Sequence, residues 1–385
     1  LEILGILEVE DSNNISINTK NLLITGKLIA GTIQNPFKKN FQINMIGDKF
    51  TPFIKEPNFY YKNPNSYIEV SNNSGSELSN NMIANFGRLS MVGAKRDFIK
   101  TRLLSSCKKG DKKIRVETSL LWNYMDEIII TTTSFYSRES ERNTILIYNS
   151  DEGTILLKYP LTYDHFGSEN LNENFTDPSF KPDERAEVLL ITRNIKITGT
   201  KDWGCTVYSK KVNMEDYNSN FNMTNVQFEN CGQEEFENPV IKIDENELSF
   251  FNNEEIILEN LSMVDNKFSG IVINKSDKVK IKDSIIVNPK NYGILIKDSR
   301  NYKIIGSTII NLQKQDPKKY HEEKIAYNSC FYIDKYSDLN SLVDNNKCVG
   351  SEEYGFIIPP NYCFNKLITN NYNIAHATKY GFFIY

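Results

Sequence analysis

The sequence predicts an all-β protein whose main element is a right-handed parallel β-helix, a solenoid of stacked coils. The stretch "GIVINKSDKVKIKDS" at 270–284 is followed by "GILIKDSRNYKIIGS" at 293–307, a displacement of 23 residues. A fixed period of roughly 20 to 50 residues is the signature of a solenoid. Within each unit, polar and apolar residues alternate with period two, which is the pattern of short β-strands. The repeating unit is therefore a coil of strands and turns.

The repeat extends over three consecutive units. Leu258, Ile281 and Ile304 occupy equivalent positions at intervals of 23 residues. Stacked coils place equivalent residues about 4.8 Å apart. We therefore expect these three side chains to lie directly above one another in the core.

A second column of equivalent positions is polar. Asp265, Asn288 and Asn311 share the same 23-residue spacing and follow the last strand of each unit. Stacked amides can form a hydrogen-bonded ladder, so the column is a candidate ladder at a corner of the coil. The alternative is that Asn is simply frequent at turns, where it tolerates left-handed backbone geometry.

The chain divides into three predicted regions. Residues 1–165 read as a β-rich domain with a long loop at 51–80. Within this region, "LGILEV" at 4–9 is echoed about one coil later by "TGKLIAG" at 25–31. Residues 166–184 form a polar loop, and residues 185–385 carry the β-helix repeats. The chain begins without Met and ends inside a repeat, so we expect a fragment that is incomplete at both ends.

Composition excludes several functional classes. The 385 residues are 39% hydrophobic and 24% charged, with a net charge of −4, which gives no electrostatic case for nucleic acid binding. The sequence has no phosphate-binding loop, no dinucleotide glycine motif and no zinc-type cysteine spacing. We expect no cofactor and no metal. No apolar run reaches the roughly 20 residues needed to cross a bilayer, so membrane contact is expected only through parts of the chain not present here.

Six cysteines suggest an oxidising compartment. About one coil separates Cys205 from Cys231, which predicts a disulfide bond between neighbouring coils. A second bond is expected among Cys330, Cys348 and Cys363. The sixth cysteine, at position 107, is expected to be free or to pair outside this chain.

Six Asn-x-Ser/Thr sequons are candidate glycosylation sites. Two lie in the polar loops, where a glycan would meet no packing obstacle, and two lie within the repeats, where they require outward side chains. The six positions are Asn14, Asn72, Asn174, Asn222, Asn260 and Asn274.

Several stretches resemble a known family. "LEILGILEVEDSNNISINTKNLLITGKLIAGTIQNPFKKNFQINMIGD" at 1–48 is similar to the later part of a G8 domain, and "GRLSMVGAKRDFIKTRL" at 87–103 to the strand pair that follows. "LWNYMDEIII" at 121–130 resembles the next segment, except that Met125 replaces a glycine. "CVGSEEYGF" at 348–356 resembles the coils of fibrocystin-like proteins. The matching positions of the first stretch are Gly5, Gly26, Gly31, Asn35, Pro36, Phe37, Gly47 and Asp48.

The resemblance implies an incomplete G8 domain that runs into the β-helix. It also implies a secreted protein or an ectodomain at a cell or ciliary surface. The family includes both scaffold proteins and hyaluronidases. We favour a structural or adhesive scaffold, whose partners would be other subunits, copies of itself or glycans. The alternatives are a hyaluronidase-like polysaccharide hydrolase and a non-catalytic glycan-binding ectodomain.

One polar cluster could carry hydrolysis. Glycan cleavage uses a pair of carboxylates, and an arginine can hold a sugar carboxylate through two hydrogen bonds. The alternative is a buried network of arginines and carboxylates that orders the junction between domains. The weak catalytic candidates are Asp164, His165, Asp183, Arg185 and Glu187, with Glu184 and Arg193 nearby.

Overall fold

The structure is a computed structural model, and it describes most of the chain. The described ranges are 1–63, 67–71, 76–167, 183–211, 220–245, 255–315, 327–334, 341–359 and 369–384. Strands are numbered β1 to β36 in chain order. One short 3-10 helix, Ser137–Glu139, accompanies them, and the described residues contain no α-helix. The prediction of an all-β protein is confirmed.

Three parallel faces make up a β-helix, and each coil contributes one strand to each face. Face one contains β1 (Glu2–Ile3), β4 (Leu22–Ile24), β11 (Met82–Asn85), β20 (Thr206–Lys210), β23 (Ile241–Asp244), β26 (Ile271–Asn274), β29 (Tyr292–Lys297), β32 (Ser329–Ile333) and the later parts of β34 (Lys347–Ile358) and β36 (Ile374–Ile384).

Faces two and three repeat the same order. Face two contains β2 (Ile6–Glu8), β5 (Lys27–Ala30), β12 (Arg88–Val92), β21 (Asn220–Thr224), β24 (Ile256–Glu259), β27 (Val279–Lys282), β30 (Lys303–Ile305), β33 (Leu342–Asp344) and β35 (Thr369–Asn371). Face three contains β3 (Ile15–Thr19), β6 (Phe41–Met45), β19 (Ile195–Thr198), β22 (Val226–Glu229), β25 (Ser262–Val264), β28 (Ile285–Val287), β31 (Thr308–Leu312) and the first parts of β34 and β36.

The predicted register is confirmed. Leu258 pairs with Ile281, and Ile281 pairs with Ile304, in successive strands of face two. All three side chains are fully buried. β24 and β27 alternate buried and half-exposed residues, so their apolar positions point into one shared core.

The predicted column of Asp265, Asn288 and Asn311 forms a hydrogen-bonded ladder only between Asn288 and Asn311. Asn311 donates through Nδ2 to Oδ1 of Asn288 at 2.6 Å. Asp265, Asn288 and Asn311 all have left-handed backbones, with φ of 53°, 53° and 54°. Asp265 has a different partner, because its carboxylate accepts from Arg142 at 2.7 Å.

The structure divides the chain differently from the prediction. We expected the β-helix to begin at residue 185, after a separate β-rich domain at 1–165. Instead β1 to β6 pair in parallel with later strands and form the first coils of the same solenoid. The physical reason is that their alternating apolar residues join the common core, as Leu22, Leu28 and Phe41 show by complete burial.

A separate domain is inserted within one coil, between β12 on face two and β19 on face three. We call residues 93–194 the insert. Its six antiparallel strands lie in the order β13, β18, β15, β16, β17, β14. They are β13 (Lys100–Arg102), β14 (Lys113–Arg115), β15 (Glu127–Ile130), β16 (Glu141–Asn149), β17 (Thr154–Leu157) and β18 (Glu187–Leu190).

The region predicted as a long loop at 51–80 contains strands instead. β7 (Ile54–Lys55) pairs with β10 (Glu77–Ser79), and β8 (Asn58–Asn63) pairs with β9 (Tyr67–Ser71), both antiparallel. Most of the polar loop predicted at 166–184 lies outside the described residues.

Two disulfide bonds join parts of the solenoid. Cys205 is bonded to Cys231, with 4.3 Å between the Cα atoms, as the spacing predicted. Cys330 is bonded to Cys348, which confirms the expected second bond. Cys363 lies outside the described residues. Cys107 is free and buried, and burial raises the pKa of its thiol to about 11.

Candidate functional site

Neighbouring candidates Asp164 and His165 lie in different environments. Asp164 is exposed and accepts from the backbone N–H of Lys109 and from Nζ of Lys108, at 2.8 and 2.9 Å, and these contacts lower the pKa of its carboxyl. His165 is buried. Its Nδ1 lies 2.9 Å from the carbonyl oxygen of Thr131, and its Nε2 lies 2.8 Å from Oε1 of Glu141. The two side chains therefore do not face a common substrate position.

Glu141 holds His165 in place and also caps a turn. Its carboxylate accepts from the backbone N–H groups of Thr162 and Tyr163. Burial alone would raise the pKa of Glu141, but these hydrogen bonds and His165 outweigh burial and lower it. The carboxylate is thus occupied by structural contacts inside the insert.

Asp183, Arg185 and Glu187 come together, and Arg102 joins them. Arg185 binds both oxygens of Asp183, at 2.9 and 2.8 Å. Arg102 contacts Oδ2 of Asp183 at 3.0 Å and Oε1 of Glu187 at 3.2 Å. Each guanidinium is therefore engaged with carboxylates of the protein itself.

Glu187 is the buried centre of this cluster. It is 3% exposed and forms an ion pair with Lys347, which begins the first part of β34 on face three. Burial would raise the pKa of Glu187, but Lys347 and Arg102 outweigh burial and lower it. Lys100 donates to the carbonyl oxygen of Gly306, and burial lowers the pKa of Lys100 to about 8 although Asp283 and Glu187 favour its charged form.

Arg193 fastens the end of the insert to the solenoid. It is 1% exposed and donates to the carbonyl oxygens of Leu190, Thr192 and Asn260. It also donates to Oδ1 of Asn260 at 2.8 Å. Its guanidinium is therefore occupied by protein oxygen atoms.

Apolar residues also pack together at the boundary between the insert and the solenoid. Ile129, Leu189 and Ile191 of the insert pack against the outer surface of face three. The solenoid residues in this cluster are Val264, Ile285, Val287 and Ile310. The strands of face three here are buried on both sides, by the solenoid core within and by the insert outside.

Arg142 forms ion pairs at the boundary between the insert and the solenoid. It contacts Glu127 of the insert at 2.7 Å and reaches Asp265 and Glu229 of the solenoid at 2.7 and 3.6 Å. The sequence did not point to Arg142, Arg102, Lys100 or Lys347 as members of a site. Except for Glu127, the partner of Arg142 that lies 15 residues away, their partners are far away in the chain, and no local motif marks them.

The sequons differ in accessibility. Asn14 is exposed, and its side-chain oxygen accepts from the backbone N–H of Asn40. Asn222 is half-buried and accepts from Thr224. Asn260 and Asn274 each use the amide nitrogen as a donor, to Asn225 and Asp244 respectively. Asn72 and Asn174 lie outside the described residues.

A large open cavity is lined by none of the catalytic candidates. It is a groove of about 1040 Å³ at the corner that follows face three, and it extends over several coils. We call it the corner groove. Its lining residues are Lys201, Asp202, Trp203, Gly204, Asn230, Gly232, Gln233, Glu234, Glu235, Asp265, Asn266, Lys267, Asn288, Lys290 and Gln313.

The described ranges contain no cluster of three or more His, Cys, Asp or Glu side chains arranged to hold a metal ion. They also contain no helix with the length and apolar character needed to cross a membrane.

Two protein families match parts of the chain. The G8 domain family matches residues 1–104, and the family described as "right handed beta helix region" matches residues 186–315. This chain carries a G8 domain and a right-handed β-helix region. The G8 match covers the first coils and the beginning of the insert, so the G8 segment is part of the solenoid rather than a neighbour of it.

The chain spans only a small part of the relatives that it matches. The chain is 28% identical to human fibrocystin-L over 61% of its own length and 6% of that protein. It is 22% identical to mouse fibrocystin over its whole length and 9% of that protein. A solved tailspike of Acinetobacter baumannii bacteriophage AP22 aligns with 97% of this chain and 64% of its own, at 10% identity and a TM-score of 0.24.

Proposed function

We propose that this chain is a non-catalytic structural and adhesive module of an extracellular or ciliary-surface scaffold. The observation that carries the proposal is the state of the predicted catalytic groups. Asp164, Asp183 and Glu187 are each held in ion pairs, and His165 is buried against Glu141. A glycosidase instead needs two carboxylates that face a bound sugar.

The disulfide bonds support a location outside the cytosol. Two are present among the described residues, and disulfides persist in oxidising environments such as the secretory pathway and the cell surface. The similarity to fibrocystin-L and fibrocystin agrees with this location.

The non-catalytic part of the proposal is tested with one set of variants. Glu187→Gln removes the carboxylate that pairs with Lys347 and one of the two carboxylates that pair with Arg102. It should lower the free energy of unfolding by about 3 kcal/mol. Asp151→Asn, at an exposed position of the insert, is the matched control and should change stability little. Hyaluronan incubated with the wild-type chain should keep its length, measured by size-exclusion chromatography. Shortening of hyaluronan that Glu187→Gln or Asp183→Asn abolishes would instead show a hydrolase.

The adhesive part is tested separately. Beads coated with the purified chain should cluster, as counted by light microscopy, because the proposed partners include copies of the same chain. Beads coated with serum albumin are the control. Coated beads that stay dispersed contradict adhesion between copies of this chain.

A further inference from the structure

The corner groove is lined by a regular array that the fold itself creates. Asn230, Asp265 and Asn288 take left-handed backbones, with φ of 54°, 53° and 53°, at equivalent corners of successive coils. Asn and Asp are favoured there because they tolerate this geometry. Stacking then repeats their side-chain oxygens about every 4.8 Å along the solenoid axis. The groove therefore presents a periodic row of polar side chains, in which Oδ2 of Asp265 already accepts from Arg142 and Oδ1 of Asn288 already accepts from Asn311. Oδ1 of Asp265 and the Nδ2 group of Asn288 are the groups of these two side chains left to face a ligand.

Amide groups beside this row are rigidly held. Asn266 is 7% exposed and donates through Nδ2 to the carbonyl oxygens of Met263 and Val287. Its Oδ1 has no hydrogen-bond partner among the described residues. Gln233 is fixed by the backbone oxygens of Asn80 and Gly204. An array that is already ordered loses little conformational entropy when a ligand binds.

Trp203 gives the groove one apolar contact. Its Nε1 donates to Oδ1 of Asn80 at 3.0 Å, and its ring meets Phe236 edge to face with 5.1 Å between the ring centres. An aromatic ring that is fixed in this way can contact the C–H groups of a polar ligand without losing rotamer freedom.

The charge of the lining is nearly balanced. Four carboxylates and three lysines leave a formal charge of −1, so the groove has no positive field to attract a polyanion. Lys290 is further neutralised by Glu234 at 2.7 Å. The four carboxylates belong to Asp202, Glu234, Glu235 and Asp265, and the lysines are Lys201, Lys267 and Lys290.

We propose that the corner groove binds a neutral oligosaccharide lying along the solenoid axis. Vicinal hydroxyls can donate to the carboxylates, which only accept, and can both donate to and accept from the amide groups. Successive coils of a solenoid form extended binding surfaces, which suits a linear polymer. The inference rests on the proposed adhesive role, for which this glycan is the ligand.

The test is calorimetric titration of the whole chain with β-linked hexaoses of glucose, mannose, galactose and N-acetylglucosamine, and with a hyaluronan hexasaccharide. At least one neutral hexaose should bind more tightly than the hyaluronan oligosaccharide. The double variant Asp202→Ala/Glu235→Ala changes two exposed lining residues and should weaken that binding at least tenfold. Gln313→Ala, several coils away, should weaken it as well.

Asp151→Ala/Glu152→Ala is the control, since it removes two exposed carboxylates from the insert. It should bind like the wild type, and melting curves should show that all variants remain folded. Three results overturn the inference: no neutral hexaose binds, the groove variants bind like the control, or hyaluronan binds more tightly. Bead clustering without hexaose binding rejects the groove alone, whereas hexaose binding without clustering rejects only adhesion between copies of the chain.

Discussion

At the residue scale, the corners of the coils are specified by backbone conformation. Asn260, Asp283 and Gly306 occupy one corner column with φ of 55°, 50° and 65°. A left-handed backbone costs most L-residues about 1–2 kcal/mol. Gly, Asn and Asp adopt this conformation at the lowest cost. A Cβ atom on Gly306 would also lie 2.4 Å from Oδ1 of Asp283. The turn residues of this solenoid are therefore selected by φ and by close stacking together.

Two replacements of Asn311 separate the effect of backbone conformation from the effect of the ladder hydrogen bond. Asn311→Ala removes the hydrogen bond to Asn288 and places Cβ-bearing alanine at φ 54°. Asn311→Gly removes the same hydrogen bond but tolerates the backbone. The alanine variant should be less stable than the glycine variant by about 1 kcal/mol. Urea denaturation followed by circular dichroism measures the difference. Equal stability would show that the ladder hydrogen bond alone matters at this corner.

Some residues of the boundary cluster could be predicted from sequence, and others could not. Asp183, Arg185 and Glu187 are close in the chain, so their clustering was visible as a dense polar stretch. Arg102 and Lys347 lie 85 and 160 residues from Glu187. Only the stacking of coils and the return of the insert bring them together, and no local pattern encodes that return.

At the element scale, one coil accepts a whole domain without losing its register. β12 pairs with β5 and β21, while β19 pairs with β6 and β22. The insert leaves after β12 and comes back before β19, so the interruption falls at a corner and breaks no ladder. It then packs on face three, which removes the apolar outer surface of that face from water.

Leu189 tests this packing. It lies in β18, is fully buried, and contacts face three rather than the core of the insert. Leu189→Ala should lower the free energy of unfolding by about 3 kcal/mol, as expected for a cavity at a packed interface. Ile147→Ala, at a position of the insert that is 59% exposed, is the control and should cost far less. Amide exchange in β15 and β18 should also become faster. Unchanged stability and exchange would mean that the insert does not depend on face three.

The period of the repeats was predictable, but the extent of the solenoid was not. Between 256 and 312 each coil has the same length, so Leu258, Ile281 and Ile304 align by eye. In the first coils the echo of "LGILEV" in "TGKLIAG" was the available signal. Parallel and antiparallel strands share the same alternation of apolar residues. Pattern alone therefore could not show that 1–45 joins the repeats while 100–157 forms an antiparallel sheet.

At the scale of the whole molecule, one hydrophobic core runs through the solenoid. It includes buried residues from Ile3 in the first coil to Ile358 in a late one. Near its end, Phe331, Phe356 and Phe382 stack with ring centres 4.6 and 4.8 Å apart. Each coil thus contacts mainly its neighbours, and the stability of the solenoid is carried from coil to coil.

The two disulfide bonds test whether these coils melt as one unit. The Cys205–Cys231 bond lies early in the solenoid and the Cys330–Cys348 bond lies late. Replacing either pair by alanine should cost about 2–4 kcal/mol, because the unfolded chain gains freedom. Since the core is continuous, both double variants should lower the same calorimetric transition, and the combined variant should show additive losses. Wild-type protein unfolded under a reducing agent should resemble the combined variant. Two transitions, each shifted by only one of the replacements, would instead show that the early and late coils are independent folding units.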